Sequence, residues 1–157
     1  MPRAWLKSFG DSKRPICNDW TSEFLPDPVQ PLELMTGPSD SEPTMRPGDR
    51  LVLHAVGHGR VIAEGRIESG PVWAPDRDTR WDPKRWPWIY MCRVDTWVTI
   101  VDRGPRTWAY ASSVKGQIQW GRPYAELTRA EHESLVGALS AAPTARKRPP
   151  GDDRRRS

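Results

Sequence analysis

The chain has 157 residues, with 24 Lys+Arg against 20 Asp+Glu, a formal net charge of +4 and a pI near 9.4. A mean hydropathy of −0.73 and the lack of any apolar run near the roughly 18–20 residues needed to cross a bilayer exclude a helical membrane protein. The length fits one domain around a single core, and two cysteines, Cys17 and Cys92, are too few for a disulfide scaffold. Met1-Pro2-Arg3-Ala4-Trp5 leads into Leu6-Lys7-Ser8 rather than a continuous apolar stretch, so no secretory signal is read and a reducing cytoplasm is the expected location.

The positive charge is unevenly placed. Residues 143–157 carry six basic and two acidic side chains, leaving 18 of each sign in 1–142. The body is therefore electrically balanced, and the alkaline pI comes from a Pro- and Arg-rich end that the composition predicts to be disordered. Such an end attracts phosphate backbones without reading sequence, or simply keeps the chain soluble.

In chain order, Ala4–Phe9 reads as a first strand closed by the turn pair Gly10-Asp11. Asn18 to Phe24 reads as a short helix capped by Asn18 or Asp19. Prolines at 26, 28, 31, 38, 43 and 47 make 26–47 a surface excursion without long regular structure. Pro47-Gly48-Asp49 then turns the chain into a hairpin of 50–56 and 60–69 joined by Gly57-His58-Gly59, with Gly65 marking a bulge or a close backbone approach. Residues 71–88 read as a long irregular loop, and 89–101 as a long strand. Thr107–Ala111 and Gly116–Trp120 read as short strands. Thr128-Arg129-Ala130-Glu131 is a capping box opening a helix that buries Leu127, Leu135, Val136 and Leu139 and ends before Pro143. The whole is an α+β chain, strands in the middle and helices near both ends.

Nine tryptophans against three Tyr and two Phe are the compositional anomaly. Trp5, Trp97 and Trp120 read as core or half-buried strand residues. Trp73, Trp81, Trp86 and Trp88 sit instead in the 71–88 loop among Pro, Asp and Arg, with Arg77, Arg80, Lys84 and Arg85 interleaved as candidate phosphate partners. Indole faces beside cations are what stacking a base and holding its backbone requires; the competing reading is that these rings plug the open side of a small barrel. No metal quartet, Walker A loop, G-x-S-x-G elbow or zinc-deaminase pattern is present. His54, His58 and His132 read as structural or surface polar residues, and Asp76, Asp78 and Asp82 fail the EF-hand spacing. No cofactor and no metal are expected.

The order AWLKSFG, NDWTSEF, MRPGDRLVLHAVGHGRVIAEGRI, WDPKRW and GQIQWGRPYAELTRAEHESLVGAL resembles the EVE and YTH branch of the PUA-like superfamily over roughly residues 4–141. The resemblance implies a PUA-like small mixed β-barrel with flanking helices over 1–142, with 143–157 a tail. It implies a monomeric, non-enzymatic reader of DNA or RNA that flips a modified base, methylated adenine or 5-methylcytosine, into an aromatic cage. Carried over by position, Trp20, Trp81 and Trp86 form the cage, Lys7 and Ser8 contact the base or sugar, and Asn18 bonds a base edge. Two readings stay open beside it. One is an ASCH-like hydrolase of nucleoside derivatives, with Lys7 as base or nucleophile and Glu64 or Asp95 orienting it. The other is a protein-interaction module using the Trp loop as a hot spot.

Overall fold

Segments rich in β-branched and aromatic residues make one mixed sheet in the computed structural model, which describes residues 2–77 and 82–149. The strands are β1 (Ala4–Phe9), β2 (Leu32–Thr36), β3 (Arg50–Ala55), β4 (Arg60–Trp73), β5 (Trp88–Val98), β6 (Tyr124–Glu126) and β7 (Ala145–Lys147). Six of them lie in the order β2-β5-β4-β3-β1-β6, and β7 adds to β5. The β1–β3 pair is parallel and the others antiparallel. Register shifts after Leu53 and within β4 add local bends, and the sheet curls into an open half-barrel. The helices are α1 (Thr21–Phe24), α2 (Thr107–Tyr110), α3 (Lys115–Gln119) and α4 (Arg129–Ser140).

The expected β1, the β3–β4 hairpin and α4 are all present. The capping box on α4 closes on both sides: the Glu131 N–H donates to Thr128 Oγ1 at 3.1 Å, and the Thr128 N–H to Glu131 Oε1 at 3.0 Å. Leu135 and Leu139 are fully buried under the sheet. Gly65 sits where β4 crosses closest to β5; a Cβ there would lie 1.9 Å from the Arg93 carbonyl oxygen. The Pro-Gly-Asp turn has a structural use of its own. Gly48 takes φ +92, and the buried Asp49 carboxylate accepts from the Arg3 N–H, the Arg46 N–H and the Trp5 indole at 2.9–3.1 Å. It thereby ties β1 to the start of β3.

Several expectations are corrected. The proline-rich 26–47 segment contains β2, whose Leu32, Leu34, Met35 and Thr36 are buried. A strand fits between Pro31 and Pro38 because proline forbids a ladder bond only at its own position. The 71–88 loop is shorter than read, since β4 runs to Trp73 and β5 starts at Trp88; these two indoles pair across the strands with centroids 4.8 Å apart. Thr107–Tyr110 and Lys115–Gln119 are short helices rather than strands, and Trp120 at the end of the second is 91% exposed rather than core. Trp5 and Trp97 are buried as expected. Neither Asn18 nor Asp19 caps α1: Trp20 is the N-cap residue and no side chain bonds the helix end. Finally, β7 and Arg148 are ordered against β5. Arg148 donates its N–H to the Asp95 carbonyl at 2.8 Å and its Nε–H to the Val94 carbonyl at 2.9 Å, because Asp95 presents an anion that Arg50, Arg93 and Arg148 share.

Candidate functional site

The ends of β1 and β3 open into a cavity of about 460 Å³, within the roughly 300–1,000 Å³ range of small-molecule sites. Two walls of different origin enclose it. The first is made by strands. Parallel pairing sets Ser8 beside His54 and Lys7 beside Leu53, so Lys7, Ser8 and His54 reach the cavity from adjacent backbones. Met35 of β2 also lines it, so the strand hidden among prolines supplies part of the site.

The second wall is made by loops and short helices: Asp11 and Ser12 after β1, Arg85 and Trp86 before β5, Trp108 on α2, and residues from Ile118 to Pro123. The Arg85 guanidinium lies over the Trp86 ring, 4.6 Å from its centroid. Gly37, at the turn after β2, packs against the same segment so closely that a Cβ would meet the Arg85 carbonyl oxygen at 3.1 Å and Trp86 Cδ1 at 3.6 Å. Trp108 packs on His54 with centroids 4.8 Å apart.

Burial sets the protonation of the strand wall. Lys7 is buried, its ammonium donating to the Ser8 carbonyl oxygen at 2.6 Å, and desolvation lowers its pKa from 10.5 to about 7. Near neutral pH it is therefore as much an amine as an ammonium. His54 is held to Thr107 Oγ1 at 2.7 Å through Nδ1 and its pKa is lowered by burial to about 4, so it is a neutral imidazole. The cavity thus presents two indoles, a polar floor with a neutral His54 and a partly charged Lys7, and on the loop side the exposed cations Arg85 and Arg122 beside the carboxylate of Asp11. That set suits a flat aromatic ligand with polar edges attached to an anion.

Of the residues expected at a site, Lys7, Ser8, Arg85 and Trp86 meet at this cavity. Trp20 does not. Its ring is fully buried, edge-on to Phe9 at 5.9 Å, with its indole N–H donated to the Val98 carbonyl at 2.6 Å. An indole with both faces in the core offers no surface for a ligand. Asn18 lies away from the cavity, where its carbonyl Oδ1 accepts from the Asp102 N–H at 2.9 Å and shapes the turn after β5. Arg77 pairs with Glu33 at the far end of β2, and Lys84 is exposed outside the cavity lining. Trp81 and Arg80 lie outside the described residues. The carboxylates considered as partners of Lys7 are not beside it: Glu64 accepts from Thr96 Oγ1 at 2.8 Å, and Asp95 is taken up by its three arginines.

Sequence reasoning passed over Trp108 and read His54 as a structural or surface polar residue. Neither carries a local signal, because both are brought in by the parallel β1–β3 pairing and by α2 folding back over β3. Among the described residues no group of three or more His, Cys, Asp and Glu side chains gathers as a metal site, and no helix is long and apolar enough to cross a membrane. No protein-family model matches the chain, and no curated protein matches it in sequence.

Proposed function

We propose that this chain is a nucleic-acid-binding domain of PUA-like, EVE/YTH-like type that takes a single modified base, most simply a methylated one, out of the stack and into the cavity lined by Trp86 and Trp108. The observation that carries the reading is the convergence of Lys7, Ser8, Arg85 and Trp86, singled out on separate stretches of sequence, on one cavity that also contains a second indole. Trp108, which lines the same cavity as Trp86, is the ring we put in place of Trp20 in the cage. Extruding a base costs a few kcal/mol, and stacking on an aromatic side chain returns about 1–3 kcal/mol per base. A buried methyl adds about 0.8 kcal/mol, so sharper discrimination depends on polar groups such as Lys7 and Ser8 that penalise the wrong edge.

The test is a binding comparison by tryptophan fluorescence with DNA and RNA oligonucleotides containing N6-methyladenine, 5-methylcytosine or the unmodified base, single- and double-stranded. Selective quenching by one modified oligonucleotide is expected. Equal, weak and steeply salt-dependent binding to all of them would overturn the reading, leaving only non-specific attraction to polyanions.

A second reading draws on Lys7 alone. A buried amine with a pKa of about 7 in a cavity is suited to take a proton from water in hydrolysis of a nucleoside derivative. It predicts release of acyl groups from acylated nucleosides, abolished in Lys7→Met; the absence of turnover by the wild-type chain would remove it.

A further inference from the structure

The loop wall of the cavity has one side chain that turns away from it. Ile118, Gln119, Gly121, Arg122 and Pro123 all line the cavity, whereas Trp120 in their midst is 91% exposed, more than any other large apolar side chain among the described residues. Its backbone is pinned. The Trp120 N–H donates to the Gly116 carbonyl at 2.9 Å, Gly121 at φ +96 donates to Ile118 at 3.1 Å, and Arg122 donates to Gln117 at 3.1 Å. This crossed pair of bonds around a left-handed glycine is a Schellman closure of α3, and it fixes the point from which the indole projects. Indole stabilises a fold by being buried, so packing gives no account of a tryptophan left in solvent on a pinned backbone. An exposed cation follows it two positions on, Arg122 on the cavity lining.

A cavity that accepts one base separates it from its neighbours and leaves their faces bare. We infer that Trp120 is the stacking platform for the nucleotide adjacent to the one held in the cavity, with Arg122 serving the phosphate between them, a role that rests on the cavity's accepting a base. Stacking on an indole requires only a π-face, so this contact adds affinity without choosing sequence, while choice stays with the cavity. Only Gly121 stands between Trp120 and Arg122, which keeps cation and ring within one short segment of wall, as holding a strand rather than a free nucleoside requires.

The full chain, Trp120→Ala and Trp120→Phe are titrated with N6-methyladenosine and 5-methylcytidine 5′-monophosphates, and with short oligonucleotides carrying the same base next to 2-aminopurine. Trp120→Ala is expected to weaken oligonucleotide binding about 5- to 150-fold and to abolish the 2-aminopurine signal, leaving monophosphate affinity unchanged; Trp120→Phe keeps most of both. Unchanged oligonucleotide affinity in Trp120→Ala, or equal weakening of oligonucleotide and monophosphate, would overturn the platform. Failure of the base-binding cavity itself has a different signature: the wild-type chain binds no monophosphate and Trp86→Ala leaves oligonucleotide binding intact, a result that overturns both.

Discussion

The two walls of the cavity are built on opposite terms. On the strand side, Lys7, Ser8 and His54 are fixed by ladder bonds and close packing, and burial holds Lys7 and His54 toward their neutral forms. On the loop side, Arg85, Trp86, Trp108 and the 118–123 segment stand on turns and single helical turns, most of them partly or fully exposed, with charge kept in water. The strand wall is inseparable from the core: Lys7 lies two residues from Phe9, which packs on Trp20 and Phe24. Most of the loop wall stands clear of that core, although Ile118 belongs to it and Trp108 packs against it. The difference teaches that burial and exposure are divided across one cavity, and variants on each side should move different observables.

The largest effect is expected deep behind the strand wall. Trp20→Ala should lower unfolding stability by about 3–5 kcal/mol, as removal of a fully buried indole does, whereas Trp120→Ala should stay within about 0.5 kcal/mol of wild type. Denaturant melts of both would break the comparison if the two losses were similar. Lys7→Met should give a gain of comparable scale with a distinctive pH dependence. Folded Lys7 titrates near 7 and the unfolded side chain near 10.5, so between those values the unfolded chain binds more protons and native stability rises with pH. The penalty is therefore greatest below pH 7 and relieved toward pH 10.5. The stability difference between Lys7→Met and wild type should be on the order of 3–5 kcal/mol below pH 7 and shrink as pH rises. A difference that stays flat with pH would show that Lys7 is not the desolvated group.

On the loop side, Trp86→Ala should reduce affinity for the preferred modified oligonucleotide by about 1–3 kcal/mol while barely changing the melt, whereas Trp108→Ala, whose ring packs on His54 and the core, should lower stability as well as affinity. Loss of folding in both would make these rings structural plugs and erase the division. The smallest effect is expected for Arg85→Gln, which should make the slope of log K against log salt less negative by about 0.7–0.9 for each phosphate that is no longer neutralised and leave the preference for the modified base in place. A change of preference without a change of slope would place Arg85 on the base rather than the backbone.

Much of the framework was legible in the sequence. The capping box at Thr128–Glu131, the hairpin around Gly57-His58-Gly59 and the close approach at Gly65 are local signals, and local signals survive folding because their hydrogen bonds and steric limits act within a few residues. Helix and strand were confused at Thr107–Tyr110 and Lys115–Gln119, where four or five residues carry too little periodicity to separate them. The prolines masked β2, and the basic composition of the tail masked a strand that only Asp95 and β5 make worthwhile.

The candidate site divides in the same way. The sequence determined that the chain carries a surplus of indole and a loop where indole and cation alternate, because composition and spacing are its own properties. Which tryptophans are core and which line the cavity or stand in solvent was decided by tertiary structure alone. Trp20 and Trp120 sit in equally ambiguous sequence, yet one is fully buried and the other almost wholly exposed. Exposure depends on what distant segments pack over a residue. In the same way the parallel docking of β1 on β3, 46 residues apart in register, brought Lys7, Ser8 and His54 together.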